Sequence, residues 1–193
     1  MRRPEYRGKR TLDVLFAVAA LMLAWVLMLS LALLVKLTSP GPVFYWSNRV
    51  GRENRIFRMP KFRTMRLDTP AVATHLLNGP EQYLTPVGGF LRRTSLDELP
   101  QIWSILTGKM SLVGPRPALF NQDDLVAQRT EVGVHHLVPG LTGWAQINGR
   151  DELPIPRKVQ LDVEYLQNIS LFLDLKIIFL TFVKVLKRDG VSH

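Results

Sequence analysis

Ser95-Leu96-Asp97-Glu98-Leu99-Pro100 sets two carboxylates side by side at what reads as the start of a helix. Two explanations compete. Ser95 followed three residues later by Glu98 has the form of a capping box, and acids in a first turn favour the helix dipole. Pro100 argues for more than a cap. At that depth it frees the Leu96 carbonyl where negative charge is already concentrated, a local cost of the kind found at working sites. Adjacent helical side chains diverge by about 100°, so Asp97 and Glu98 would not share one proton and would take separate roles. The positive end of the helix favours an ionised Asp97, usable as a nucleophile or as a Mg²⁺ ligand. A carboxylate that attacks phosphorus forms an acyl phosphate.

Other residues suit the same anionic chemistry. Arg116 lies between Pro115 and Pro117, so its backbone is ordered in advance and its planar fork is presented to phosphate oxygens or to a partner carboxylate. Pro139 to Arg150 carries three glycines, Gln146 and a terminal arginine. Such a loop can bring backbone amides near a diphosphate, although its spacing matches no phosphate-binding fingerprint and ordinary turns would explain it as well. His75, His135, His136 and His193 lack any metal-binding spacing and read as surface or loop residues. With no cysteine among the 193 residues, disulfide frameworks, zinc knuckles, iron–sulfur clusters and thiol catalysis are excluded.

The elements that position these groups begin with a membrane segment. Val14 to Val35 is 22 residues without a charge, a helix of about 33 Å against a hydrocarbon core of about 30 Å. No small-residue cleavage pattern follows it, so a signal peptide is disfavoured. The net charge of +9 is concentrated beside it: residues 1–66 hold thirteen basic and three acidic side chains, and the remaining 127 are nearly neutral. Basic residues flank both ends, and the positive-inside rule draws both to the cytoplasmic face. A re-entrant helix that bends and leaves by the face it entered satisfies that demand. The same charges suit lipid headgroups and phosphate substrates, and the adjacent membrane helix favours lipid over nucleic acid.

Beyond the turn at Ser39-Pro40-Gly41-Pro42, Val43–Trp46 and Arg55–Met59 read as strands around the Gly51-Arg52-Glu53-Asn54 turn. Residues 66–88 read as a loop or short helix. Leu99, Ile102, Trp103 and Leu106 predict a helix from Ser95 to Leu106 with that face in the core. Leu175, Ile178, Phe179, Phe182, Val183 and Leu186 predict a C-terminal amphipathic helix. Asp174, Lys176 and Lys184 make it too charged to span, so it packs on the domain or lies at the interface.

In combination these segments resemble the bacterial sugar transferases, also called monotopic phosphoglycosyl transferases. The resemblance covers nearly the whole chain: Lys9-Arg10 through Asp13, Lys61-Phe62-Arg63-Thr64-Met65, Ser95 to Gln101, Met110 to Pro117, Pro139 to Arg150, and Asp174 to Ser192. It implies an α+β, mainly helical fold: a re-entrant membrane helix in residues 1–40, then a cytoplasmic catalytic domain in 41–193 with short strands and amphipathic interfacial helices. Many relatives share a Ser-Pro break within the membrane helix, which this segment lacks. The implied activity is transfer of sugar 1-phosphate from a UDP-sugar to undecaprenyl phosphate at the cytoplasmic membrane, releasing UMP, with Mg²⁺ screening the diphosphate. Asp97 would be the nucleophile and a metal ligand, and Glu98 a base or metal partner. Arg116 and Arg150 would hold phosphates, Lys61 and Arg63 would sit near the membrane-facing anion, and Gln146 would belong to the nucleotide pocket. UDP-sugar, undecaprenyl phosphate and membrane lipids are the implied partners, with no role for nucleic acid. A non-catalytic, membrane-anchored basic binding protein is the competing reading, and it requires nothing special of Asp97.

Overall fold

The computed structural model describes residues 5–70, 79–149 and 153–187. Arg2, Arg3, residues 71–78 of the expected 66–88 loop, and Arg150 lie outside the described residues.

Helix α1, Lys9–Thr38, is one unbroken element of 30 residues, long and apolar enough to cross a membrane by length and composition. One seam of it, including Asp13, Ala17, Leu31 and Val35, is buried, while Met22, Leu23, Trp25, Val26 and Leu29 are exposed. Ala17, with Ala20 and Leu21 beside it, packs on Met59, Ile102, Ile105 and Met110. Leu31 and Val35 pack on Phe62 and Leu91. Both ends of α1 therefore attach to one body.

Polar contacts fix each end. Asp13 Oδ1 accepts from Ser111 Oγ at 3.0 Å and from the Leu112 N–H at 2.9 Å. Arg10 donates to the carbonyls of Ile105 and Leu106, and Lys9 Nζ lies 2.5 Å from Asp174 Oδ2. Asp174 also accepts from the hydroxyls of Tyr6 and Tyr165. Burial, followed by the Asp174 charge, pushes both phenols above their ordinary range. Two of the basic residues expected to face lipid are thus engaged by protein. At the other end, Arg63 donates to the carbonyls of Pro42 and Ser39 and to Ser39 Oγ, satisfying groups at the helix exit that would otherwise lack partners.

Strands β1, Phe44–Val50, and β2, Ile56–Phe62, form an antiparallel hairpin with Tyr45 opposite Lys61 and Val50 opposite Ile56. It is longer than the two expected segments but turns where predicted. After it come α2, Gly88–Arg93, a 3₁₀ segment Leu96–Gln101, and α3, Ile102–Leu106. The expected Ser95–Leu106 helix is therefore two elements, because Pro100 cannot donate to an α-helical ladder. Ile102 and Ile105 are buried, but Trp103 is 60% exposed, a correction that follows from the change of helical pitch.

Strand β3, Ser111–Val113, pairs in parallel with β4, Gly140–Thr142. Between them lies α4, Asp123–Glu131. Helices α5, Trp144–Ile147, α6, Ile155–Asn168, and α7, Leu171–Lys187, complete the body. Val113, Leu137, Ile147, Tyr165 and Ile177 form its core. Helix α7 packs through Asp174 and Ile177 and leaves Phe172, Leu175, Phe179, Phe182 and Val185 exposed. Of the expected apolar stripe, Ile178 packs on this core while Leu175, Phe179 and Phe182 are exposed, so the helix packs on the domain and keeps an apolar face outward. Asp174 is an interior hydrogen-bond acceptor.

Candidate active site

Ser95 adopts a left-handed backbone conformation, φ 55°, and makes no side-chain cap. The capping-box explanation therefore does not hold. Leu96 and Leu99 pack against the cluster containing Phe62 and Leu91, which anchors the 3₁₀ turn to β2 and leaves Asp97 and Glu98 beside the strand that carries Lys61.

Lys61 Nζ lies 2.6 Å from Glu98 Oε1 and 3.8 Å from Asp97 Oδ2. Arg116 Nη2 donates to the same Glu98 oxygen at 3.1 Å. Burial pushes the Glu98 carboxyl up, but the charges and hydrogen bonds of Arg116 and Lys61 prevail and hold it well below the ordinary carboxylate range. Asp97 is itself buried. A further cation, passed over in the sequence, stands near it. Arg92 donates to Thr64 Oγ1 at 3.0 Å; burial pulls its guanidinium down while the Asp97 charge opposes that shift. The adjacent Arg92-Arg93 pair just upstream of Ser95 was the available signal. Three cations around two carboxylates leave a local excess of positive charge, which suits an anionic ligand.

The Arg116 segment is held from behind. Arg129 Nη1 donates to the Arg116 carbonyl at 2.8 Å, while its Nε and Nη2 donate to buried Asp162 at 2.9 and 2.6 Å. The Gly140 N–H donates to the Pro115 carbonyl. A Cβ at Gly140 would lie 2.1 Å from the Gly114 nitrogen, and one at Gly143 would lie 2.1 Å from the Gly114 carbonyl oxygen. These glycines permit the close approach of β4 to the chain leading into Arg116. Their role in the described structure is packing, with no phosphate cradle needed to explain them.

The sequence-predicted residues divide accordingly. Lys61, Asp97, Glu98 and Arg116 are brought together. Arg63 is buried at the exit of α1, with its guanidinium on Ser39 and Pro42. Gln146 is buried under the β4–α5 corner, its amide nitrogen 3.4 Å from the Leu141 carbonyl and its Oε1 without a hydrogen-bond partner. Arg150 lies outside the described residues.

The family model for bacterial sugar transferases matches residues 5–188. A UDP-glucose:undecaprenyl-phosphate glucose-1-phosphate transferase of Xanthomonas campestris pv. campestris is 45% identical over 93% of this chain and 39% of its own length. The Escherichia coli K12 protein of the same name is 41% identical over 91% of this chain and 39% of its own. The chain thus spans about two fifths of the length of these relatives. It spans 90% of the uncharacterized sugar transferase EpsL of Bacillus subtilis, at 40% identity over 96% of this chain. Matched from near its first residues to α7, and with its carboxylate pair set among cations, the chain belongs to the bacterial sugar transferase family.

Proposed function

We propose that this protein transfers sugar 1-phosphate from a UDP-sugar to undecaprenyl phosphate at the cytoplasmic face of the bacterial inner membrane, as a first membrane step of glycan assembly. The observation that carries the reading is the convergence of cations on two neighbouring carboxylates. Glu98 accepts from both Lys61 and Arg116, and Asp97, one residue away, is buried with Lys61 at 3.8 Å and the Arg92 charge acting on it. The names of the relatives, which transfer glucose 1-phosphate to undecaprenyl phosphate, support the same reaction class.

In this mechanism an Asp97 oxygen attacks the sugar-proximal phosphorus of the donor. The bond from that phosphorus to the bridging oxygen breaks, and UMP leaves with the electron pair. An oxygen of undecaprenyl phosphate then attacks the phosphorus of the aspartyl phosphosugar, freeing Asp97 and giving the lipid diphosphate sugar. Lys61, Arg92 and Arg116 balance the charge of the diphosphate and of the entering lipid phosphate. A carboxyl as acidic as Glu98 is a poor proton acceptor near neutral pH, so Glu98 serves by holding Lys61 and Arg116 in place. The two carboxylates supply hard oxygen donors of the number Mg²⁺ uses beside substrate phosphates, so the residues fit that ion; when bound, it screens the diphosphate.

The test is UMP release by the detergent-purified protein with Mg²⁺, undecaprenyl phosphate and a panel containing UDP-glucose, UDP-galactose and UDP-N-acetylhexosamines. Release with one donor, reduced roughly 10³-fold or more in Asp97→Asn, is expected. Incubation with that donor labelled in its sugar, without lipid acceptor, should leave label on the wild-type chain and none on the variant. Release that persists in Asp97→Asn would remove the covalent mechanism.

A further inference from the structure

Glu53 and the histidine pair at 135 and 136 are some 80 residues apart in the chain and belong to no part of the carboxylate cluster, yet they meet in the fold. Their ligand atoms lie within 4.8 Å of one another. His136 Nδ1 is 3.1 Å from each Glu53 carboxylate oxygen, and the two imidazole rings stand 3.9 Å apart, centroid to centroid. We propose that Glu53, His135 and His136 bind one divalent transition-metal ion of the zinc type.

The spacing supports this. Zinc bonds of about 2.0–2.2 Å at tetrahedral angles set donor atoms roughly 3.3–3.5 Å apart. Glu53 and His136 are already close to that separation, and His135 lies with them inside a 4.8 Å cluster of ligand atoms. The backbone around the three is held on both sides. Glu53 and Asn54 are consecutive non-glycine residues in the left-handed region, φ 55° and 56°, a conformation that Asn enters readily and that costs more for Glu. Asn54 Nδ2 donates to Thr130 Oγ1 at 3.0 Å, tying this turn to α4. The histidines follow Val134 in a short 3₁₀ turn, and Val134 before them and Leu137 after them are both buried.

An ion pair between Glu53 and His136 would account for two of the three residues. It leaves His135 unexplained. His135 Nδ1 is buried without a hydrogen-bond partner, and the residue lines a shallow cleft together with Arg116, Arg129 and Asn54. Ligand chemistry selects the class of ion: imidazole nitrogens suit Zn²⁺, Co²⁺, Ni²⁺ and Cu²⁺, whereas Mg²⁺ prefers oxygen and retains its water. This site is therefore separate from the Mg²⁺ proposed at Asp97 and Glu98, and does not depend on that proposal. Three protein ligands leave a coordination position for water. A bound ion would clamp the β1–β2 turn to the segment that leads into β4.

The experiment uses the full, untagged chain in detergent, stripped of metal and kept in millimolar Mg²⁺. Titration with Co²⁺ should give one ion per chain with a visible d–d absorption, displaced by Zn²⁺, and Zn²⁺ should raise the unfolding temperature. Glu53→Gln, His135→Gln and His136→Gln should each weaken Co²⁺ binding by about tenfold or more and remove the thermal shift. His75→Gln and His193→Gln should change neither. Because Glu53 is exposed, Glu53→Gln decides the matter even if a histidine variant fails to fold. Absence of Co²⁺ absorption, binding unaltered in Glu53→Gln, or binding lost in His75→Gln or His193→Gln would overturn the proposal.

Discussion

Glu98 and Asp97 are neighbours of the same chemical type, and only their surroundings separate their tasks. With its carboxyl held below the ordinary range by Arg116 and Lys61 against the opposing effect of burial, Glu98 stabilises the fold when ionised. The sign follows from linkage. A depressed folded-state pKa gives a contribution fully present above the unfolded-state pKa and lost as pH falls through the folded-state value. Stability should therefore decline below about pH 4.5, the ordinary range of a glutamate, and Glu98 should add no inflection to activity between about pH 5 and 8. Unfolding midpoints of wild type and Glu98→Gln across acid pH measure this. The variant should lose part of the acid limb, and an unchanged limb would assign it to other carboxylates. The pairing itself was not legible in the sequence, because Lys61 and Arg116 reach Glu98 from 37 and 18 residues away.

Among the elements, α1 depends on contacts made by residues that looked functional. Arg63 was read as an anion-binding residue, yet it is 4% exposed and its donors go to Ser39 and Pro42. Arg63→Met should cost about 2–4 kcal/mol, since buried carbonyls lose charge-assisted donors, and the loss should appear as a lower unfolding temperature in detergent. Full stability with lost transfer would instead place Arg63 at the anion. At the opposite end, Lys9 and Asp174 form a buried pair whose side chains are 5% and 6% exposed. Asp174→Asn leaves Lys9 charged and uncompensated, and breaking such a pair costs about 3–5 kcal/mol. Protease cleavage between the first turn of α1 and the body should become faster in that variant. The apolar periodicity of α7 was visible in the sequence, but which side faced inward was set by Asp174, whose partners are Tyr6, Lys9 and Tyr165.

At the scale of the whole molecule, the membrane helix and the carboxylate cluster are held in one arrangement. Asp13 is fastened to β3 and Arg63 to the exit of α1, so the two ends of α1 are tied to the same body. The re-entrant placement proposed for this helix, with both termini on one side of the membrane, is open to a direct test. The chain has no cysteine, so single cysteines can be introduced and labelled without background. Reporters at Gly8 and Pro40 should both react with an impermeant reagent only when the cytoplasmic side is opened. Labelling of the Gly8 reporter from the periplasm would require α1 to cross the bilayer and to leave the body described above.

Local chemistry in the sequence was sufficient for the 22-residue apolar run, the hairpin about Gly51, and the carboxylate pair after Ser95, because hydropathy, turn residues and adjacent charges act over a few positions. The ordered motifs also carried the family. The division of the Ser95–Leu106 segment at Pro100, the parallel pairing of β3 with β4, and the convergence of Lys61, Arg92 and Arg116 on Asp97 and Glu98 were decided by tertiary structure. So was the meeting of Glu53 with His135 and His136. Each of these depends on groups distant in the chain, and their energies exist only once packing has brought the partners within reach.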